Sequence, residues 1–198
     1  MQKNNSFSHA IALSGGIATG KSTTSSLFML HGFLTIDADS IAHKLLDLHS
    51  STIALMFGDQ YVHNGKVLRK ELGKIIFNNE DQKLKLESFI HPLIKDEIIN
   101  QAQLFEKNKK PYLIDIPLFF EKGNYDIQKS IVVYTPKEVQ IQRLINRDKC
   151  STQEALKKIS NQMDIEKKKE LATYVIDNSK DLKNLQNEVE RVKSLVLN

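Results

Sequence analysis

The residues best suited to chemistry form a glycine-rich segment, GGIATGKS, at residues 15–22, which we call the phosphate loop. Four residues separate Gly15 from the run Gly20-Lys21-Ser22, a spacing typical of loops that bind a phosphate chain. The glycines let successive backbone N–H groups point inward, Lys21 would neutralise the β- and γ-phosphates, and the Ser22 hydroxyl would ligate Mg2+. The alternative is a glycine-rich turn without a ligand, but a strand is predicted before the segment and a helix after it, which favours phosphate binding.

Two aspartates lie two positions apart in LTIDADSIAH, at the end of the second apolar run. If a strand continues through both, Asp37 and Asp39 share one face, and one of them could accept the proton of an attacking hydroxyl or orient that hydroxyl. Asp39 could instead cap the following helix. The spacing leaves both interpretations open.

Further along the chain, Asp115 follows the apolar run YLI, where a carboxylate can hold the water shell of Mg2+. A turn residue at the end of a strand is the alternative. His91 precedes Pro92 inside an apolar helical region, where a lone histidine is either structural or a substrate contact.

A basic helix face is predicted in EVQIQRLINRD, where Gln140, Arg143 and Arg147 lie at positions i, i+3 and i+7. Planar, permanently charged guanidinium groups suit phosphate oxygens and can stabilise a phosphoryl group in transfer. The alternative is a solvated face on which the arginines pair with Asp148 or Glu138.

The elements that must position these residues alternate between apolar runs and helical patterns. Gly32 predicts the end of the first helix, and residues 50–110 show helical patterns without a convincing strand, the last of them interrupted at Pro92. Further helices are predicted at residues 137–147 and 152–171. The predicted strands lie in residues 10–13, 33–39, 111–121, 130–136 and 173–178. This alternation predicts an α/β fold with a parallel sheet that binds ligands at the carboxyl ends of its strands.

The C-terminal residues form an amphipathic helical pattern. Packing of its apolar stripe on the sheet is favoured over a dimer seam, because two heptads are short for a coiled coil. The residues of the stripe are Leu182, Leu185, Val189, Val192 and Val196.

Composition sets broad limits on the 198-residue chain. A net charge of +4 suits anionic small molecules as well as nucleic acid, so charge alone does not choose between them. The single cysteine, Cys150, excludes an internal disulfide and a cysteine-based zinc cluster. An apolar run of signal-peptide length is missing before the glycines, and nothing later approaches the ~20 apolar residues of a membrane span, so we expect an intracellular, soluble protein.

Several motifs together resemble those of the dephospho-CoA kinase family, and the resemblance spans nearly the whole chain. In chain order they are GGIATGKST, IDADSIAHKLL, NGKVLRKEL, FIHPLI, IPLFFE, VQIQRLINRD and VIDNS. The resemblance implies a P-loop kinase fold: a five-stranded parallel sheet with helices on both faces, a helical substrate-binding insertion and a helical lid. It also implies Mg2+-dependent transfer of the ATP γ-phosphoryl group to the ribose 3′-hydroxyl of dephospho-CoA, the last step of coenzyme A synthesis.

By this resemblance the chain is one kinase domain with three parts. The insertion, which would bind the CoA moiety, covers about residues 40–110, and the predicted lid covers about residues 143–170. The nucleotide-binding core takes about residues 1–39, 111–142 and 171–198. Dephospho-CoA is the expected partner, without nucleic acid or membrane, in a cytoplasmic monomer or weak homo-oligomer.

The resemblance also implies roles for individual residues. Asp39 would be the base that meets the ribose hydroxyl, Arg143 and Arg147 would lie near the transferred phosphate, and Asn178 would lie beside adenine. Mg2+ would be held by Ser22 and by a carboxylate, either Asp115 or Asp37. Acceptor-side roles fall to Arg69, His91 and Glu121. The expected ATP contacts within the loop are Gly15, Gly16, Ile17, Ala18, Thr19, Gly20, Lys21, Ser22 and Thr23.

Some positions depart from the family pattern. Ala18 stands where glycine is usual, and its methyl group is tolerable only if the backbone there avoids positive φ. Leu68, Lys158 and Thr173 replace a frequent acid, a frequent lid arginine and a frequent aspartate. The rival functions are another P-loop kinase, acting on a nucleoside monophosphate or small metabolite, and a nucleotide switch; the lack of an NKxD-type stretch argues against a GTPase.

Overall fold

The computed structural model of the protein describes residues 7–123 and 125–197. The predicted absence of a signal peptide concerns in part residues 1–6, which lie outside the described residues. In chain order the elements are β1 (Ala10–Gly15), α1 (Lys21–Leu30), β2 (Thr35–Asp37), α2 (Ala38–Leu48), α3 (Ser50–Phe57), a 3-10 turn (Asp59–Tyr61), β3 (Val62–His63), β4 (Lys66–Val67), α4 (Arg69–Asn78), α5 (Glu80–Glu106), β5 (Tyr112–Asp115), α6 (Phe119–Lys122), β6 (Lys129–Tyr134), α7 (Lys137–Asp148), α8 (Thr152–Ser160), α9 (Ile165–Leu171), β7 (Tyr174–Asp177) and α10 (Leu182–Leu197).

Five strands form one sheet, as the apolar runs predicted, and their order is β2-β5-β1-β6-β7. β1 runs parallel to both β5 and β6, and β6 runs parallel to β7. In this register Leu13 pairs with Asp115 and Gly15 pairs with Val133. The carboxyl ends of β1, β5, β6 and β7 therefore meet at one edge of the sheet, where parallel sheets bind ligands.

The main hydrophobic core lies between this sheet, α1 and α10. Its central residues include Ile11, Leu113 and Val133 from the strands and Phe28 from α1. The C-terminal stripe packs into the same core as predicted, through Leu185, Val189, Val192 and Val196. The prediction was wrong for Leu182, which is 57% exposed because it is the first residue of α10 and solvent reaches that turn.

The helices on either side of the core end and begin mostly where the sequence indicated. α1 ends before Gly32, whose φ is 84° and whose N–H donates to the Met29 carbonyl at 2.9 Å. The single helix predicted at residues 152–171 is wrong, because the structure has two helices there. The Asp164 carboxylate accepts the Glu166 N–H at 2.8 Å and starts α9 as a separate helix.

Residues 37–101 form a second compact unit, which carries a small core of its own. Ile53, Val67 and Leu72 are buried at its centre. The prediction that residues 50–110 contain no strand was wrong, because β3 and β4 pair as an antiparallel hairpin. Asn64 and Gly65 form its turn with φ of 49° and 72°, as a two-residue type I′ turn requires.

The predicted interruption at Pro92 was also wrong, because α5 continues through it from Glu80 to Glu106. A proline inside a helix costs about 3 kcal/mol, since it removes one backbone hydrogen bond and crowds the preceding turn. Ile90 and Ile98 are buried on either side of Pro92. Their burial and the remaining helical hydrogen bonds offset that cost.

Ala18 has φ of 61°, so the condition under which its methyl group would be tolerated without strain is not met. Local hydrogen bonds impose this conformation, since the Gly16 carbonyl accepts both the Thr19 hydroxyl at 2.8 Å and the Thr19 N–H at 3.3 Å. A residue with a Cβ in this left-handed region costs about 1 kcal/mol. The phosphate loop therefore contains a strained alanine.

Replacing Ala18 with glycine should relieve this strain and raise the free energy of unfolding by about 1 kcal/mol, with a Tm about 3 °C higher. Ala172 has φ of −76° and serves as the matched control, because glycine there only adds freedom to the unfolded chain. Ala172→Gly should lower stability by about 0.5 kcal/mol. Urea unfolding measures the free energy of unfolding of both variants. A lower value for Ala18→Gly than for wild type would contradict backbone strain at Ala18.

Truncating Val189 to alanine should lower the free energy of unfolding by about 2 kcal/mol, because this fully buried side chain lies in the core beneath the sheet. The same change at the exposed Leu182 should stay within about 0.5 kcal/mol. Urea unfolding measures the free energy of unfolding of both variants. Equal losses would mean that the apolar face of α10 does not pack in the core as described.

Candidate active site

The phosphate loop leaves the carboxyl end of β1 and enters α1 through Gly20, whose φ is 91°. Gly20 is the N-terminal cap of α1, and a glycine has no side chain that could accept the first N–H groups of the helix. The described first turn of α1 also lacks acidic residues. Its N–H groups and the positive end of the helix dipole are thus available to an external anion.

Close packing explains why glycine occupies the two ends of the loop. A Cβ on Gly15 would lie 2.9 Å from the Val133 carbonyl oxygen and 2.7 Å from the Thr19 hydroxyl oxygen. A Cβ on Gly20 would collide with the side-chain amide of Asn178. The loop is therefore pressed against β6 on one side and against the segment after β7 on the other.

Lys21 forms an ion pair with Asp115, the last residue of β5. Both side chains are mostly buried, with 18% and 9% of their surfaces exposed. The lysine expected to neutralise phosphate and the carboxylate expected to support Mg2+ therefore contact each other. A bound phosphate chain offers Lys21 a competing partner with more negative charge.

Arg143 and Asn178 are both brought to the phosphate loop. The Asn178 side-chain amide donates to the Thr19 carbonyl at 2.7 Å, and one Arg143 nitrogen donates to the Asn178 carbonyl at 2.9 Å. A second Arg143 nitrogen lies 3.5 Å from the carbonyls of Ala18 and Thr19. Gln140 is buried and donates to the Thr135 carbonyl at 2.9 Å, which fixes the start of α7 beside this cluster.

Arg147 points to a different partner from Arg143. Its Nε donates to Asp148 Oδ1 at 2.7 Å, which is one of the two pairings that the sequence left open. Lys158 contacts the other oxygen of Asp148 at 2.5 Å. The hydrogen bonds from Arg147 and then from Lys158 hold the pKa of the Asp148 carboxyl well below its usual range. Asp148 is therefore ionised at neutral pH.

The two aspartates of the segment LTIDADSIAH, Asp37 and Asp39, belong to the unit of residues 37–101. The Asp37 carboxylate ends β2 and caps α2 by accepting the Ser40 N–H at 3.0 Å. Asp39 lies in the first turn of α2 and is exposed, so the capping alternative for Asp39 and the continued strand were both wrong.

Arg69 and His91 also lie in that unit. Arg69 pairs with Asp47 at 3.3 Å, and Asp47 also accepts the Val67 N–H at 2.9 Å, so these residues tie the hairpin to α2. His91 is half-buried within α5. Their contacts to an acceptor remain predictions.

Glu121 lies in α6, where its Oε1 accepts the Met163 N–H at 2.9 Å and pairs with Lys168 at 2.8 Å. Glu121 Oε2 is buried without a hydrogen-bond partner among the described residues. Sequence reasoning missed Lys168 because IEKKKE resembles a solvated basic run. Its position three residues after the buried Ile165 places it on the inner face of α9, which is the signal that could have found it.

Gln162 was also missed. Its side-chain oxygen accepts the Ile17 N–H of the phosphate loop at 2.7 Å, across 145 residues of sequence. A backbone N–H expected to bind phosphate is thus occupied by a side-chain acceptor. No local sequence pattern could have indicated this contact, because Gln162 lies in the short connection between α8 and α9.

Among the described residues 7–123 and 125–197, no helix combines the length and the apolar character needed to span a membrane.

Comparison with known proteins gives a consistent result. The sequence model of the dephospho-CoA kinase family matches residues 9–184. A dephospho-CoA kinase of Sulfurimonas denitrificans is 53% identical over 195 residues, covering 96% of this chain and 98% of the relative. A solved structure of the dephospho-CoA kinase from Campylobacter jejuni superposes with a TM-score of 0.71 at 35% identity, covering 96% of this chain and 97% of that one.

A crystal structure of a Thermus thermophilus protein superposes with a TM-score of 0.81 at 25% identity, covering 97% of this chain and all of that one. The five-stranded sheet with its phosphate loop and the matches over nearly the full chain therefore point to the same family. The chain belongs to the dephospho-CoA kinase family of ATP-dependent phosphotransferases.

Proposed function

We propose that this protein transfers the γ-phosphoryl group of ATP to the ribose 3′-hydroxyl of dephospho-CoA, giving coenzyme A and ADP. The observation that carries the proposal is the phosphate loop, which joins the buried strand β1 to the glycine-capped start of α1 in a chain matched to this family over residues 9–184. Phosphoryl transfer needs little covalent chemistry from the protein. Positioning and charge stabilisation supply most of the catalysis.

The polyphosphate would bind to the backbone N–H groups of residues 15–22 and to Lys21. Lys21 starts in an ion pair with Asp115, so binding exchanges one carboxylate partner for phosphate oxygens. Ile17 N–H likewise exchanges the Gln162 oxygen for a phosphate oxygen. Each exchange replaces an existing contact with a phosphate contact.

The residues present suit Mg2+, which binds nucleotides through one or two protein oxygens together with phosphates and waters. The Asp115 carboxylate and the exposed Ser22 hydroxyl are such oxygens, and both lie beside the phosphate loop or within it. Once Lys21 contacts phosphate, Asp115 would face the metal ion or its waters. Bound Mg2+ would supply positive charge to the β- and γ-phosphate oxygens.

Asp39 would accept the proton of the 3′-hydroxyl or orient that hydroxyl, and its exposure in the first turn of α2 supports access to a substrate. The hydroxyl oxygen forms a bond to the γ-phosphorus while the bond from that phosphorus to the β–γ bridging oxygen breaks. ADP leaves with the bonding electron pair, and the proton passes to Asp39.

Arg143 and Arg147 would stabilise the negative charge on the transferred group. Arg143 already contacts the Ala18 and Thr19 carbonyls, which supports a role beside the nucleotide. Arg147 would have to leave Asp148, a step that suits a group arriving when the site closes. The proposed site is completed by Asn178 beside adenine and, on the acceptor side, by Arg69, His91 and Glu121. We also propose that the protein is cytoplasmic and is a monomer or weak homo-oligomer.

The proposed function is tested by incubating the protein with ATP and Mg2+ and with dephospho-CoA, AMP or dTMP as acceptor. We expect a 3′-phosphorylated product from dephospho-CoA alone, and no turnover without Mg2+. Product from AMP or dTMP but not from dephospho-CoA would favour a nucleoside monophosphate kinase. ATP hydrolysis that no acceptor changes would favour a nucleotide switch.

Changing Asp39 to asparagine should lower kcat by at least about 100-fold, because an amide cannot take the hydroxyl proton. The affinity for ATP should change little, since the phosphate loop is untouched. Asp59→Asn is the matched control, because Asp59 is an exposed aspartate of the same unit, and we expect normal kcat from it. Near-normal turnover of the Asp39→Asn variant in a steady-state assay would remove Asp39 from the mechanism.

A further inference from the structure

A fully buried lysine lies against the first residue of the phosphate loop. Lys168 Nζ donates to the Gly15 carbonyl at 3.0 Å and to the Pro117 carbonyl at 3.2 Å, and it pairs with Glu121 Oε1 at 2.8 Å. An ammonium group has three N–H donors, and these three oxygens match them. Lys168 is therefore held in one position by three contacts.

The geometry of this ammonium group matters more than its charge. Glu121 neutralises it at 2.8 Å, so the pair as a whole attracts phosphate only weakly. Burying two charges is costly, and apolar side chains in their place often give equal stability. Stability alone therefore does not account for a buried lysine at this position.

Lys168 holds the backbone carbonyl of Gly15, the residue that ends β1 and begins the phosphate loop. Lys168 acts from the middle of α9, and the segment just before this helix contacts the same loop, since Gln162 accepts the Ile17 N–H. Glu121 also accepts the Met163 N–H at 2.9 Å, which fixes that segment in turn. Residues 162–168 thus hold the loop at a carbonyl and at an N–H two residues apart.

We propose that Lys168 is a positioning residue for nucleotide binding, an inference that rests on the proposed ATP site of this kinase. By holding the Gly15 carbonyl outward, Lys168 keeps the following N–H groups directed at the phosphate chain. Without it, the loop has to be ordered when nucleotide binds, and that ordering weakens affinity. Lys168 acts through the backbone and does not contact the nucleotide.

The test compares MgADP binding by titration calorimetry with urea unfolding for four proteins: wild type, Lys168→Met, the double variant Lys168→Met with Glu121→Gln, and Lys167→Met. Lys168→Met should raise the Kd for MgADP at least about tenfold, the effect of losing a charged hydrogen bond, and should lower stability because Glu121 is left buried without its cation. Lys167 is an exposed lysine of the same helix, and Lys167→Met should match wild type in both measurements.

The double variant separates positioning from stability. Glu121→Gln removes the unpaired charge and keeps an oxygen for the Met163 N–H, so stability should return toward wild type. The Kd for MgADP should stay raised, because Gly15 still lacks its donor. Recovery of affinity together with stability, or wild-type affinity in Lys168→Met, would overturn the proposal.

Steady-state kinetics add a second readout. Lys168→Met should raise the KM for ATP more than the KM for dephospho-CoA, because Lys168 holds the phosphate loop directly and reaches the acceptor side only through Glu121. Equal rises in both KM values would contradict a specific effect on the phosphate loop. Wild-type protein that binds MgADP but does not phosphorylate dephospho-CoA would contradict the proposed acceptor alone, whereas wild-type protein that does not bind MgADP would overturn this inference as well.

Discussion

The phosphate loop depends on donors that satisfy its carbonyl groups. A backbone that turns its N–H groups toward one anion turns its carbonyls the other way, where they are buried and need partners. In this protein Lys168 donates to the Gly15 carbonyl, the Thr19 hydroxyl donates to the Gly16 carbonyl, and the Asn178 side-chain amide donates to the Thr19 carbonyl. These donors come from α9, from the loop itself and from the end of β7. The parallel register brings the ends of β1, β6 and β7 to one edge, so the loop and its donors can meet there.

Two ion pairs that are mostly or fully buried contact this loop, one through Lys21 within it and one through Lys168 beside it. Lys21 pairs with Asp115 and lies at the first position of α1, where phosphate can replace the carboxylate. Lys168 pairs with Glu121 and is also bound to two backbone carbonyls that belong to the fold itself. Lys21 can therefore exchange its carboxylate partner for phosphate, whereas Lys168 keeps its partners. A cation that neutralises phosphate and a cation that shapes its binding loop require these different surroundings.

Local patterns were enough to predict the strands of the sheet, the phosphate loop and the apolar face of α10, because each has a signal in residues close in sequence. The hairpin of β3 and β4 was missed because two-residue strands show no alternation, although Asn64-Gly65 is the usual signal for its turn. The continuity of α5 through Pro92 depends on packing, which the proline alone does not reveal. The contacts of Lys168 and Gln162 with the loop bridge 153 and 145 residues, so no sequence window contains both partners.

The two arginines of α7 show how the predicted lid could supply charge without leaving a carboxylate unpaired. Arg143 is bound to neutral carbonyls, whereas Arg147 shares Asp148 with Lys158. In the proposed mechanism Arg147 leaves Asp148 for the transferred phosphoryl group, and Lys158 then stays on the other carboxylate oxygen. A carboxylate is ionised at neutral pH, and Lys158 stays beside Asp148 as its cationic partner. A lysine where the family often has an arginine therefore fits the site, since a single ammonium group is enough to hold Asp148 while Arg147 moves.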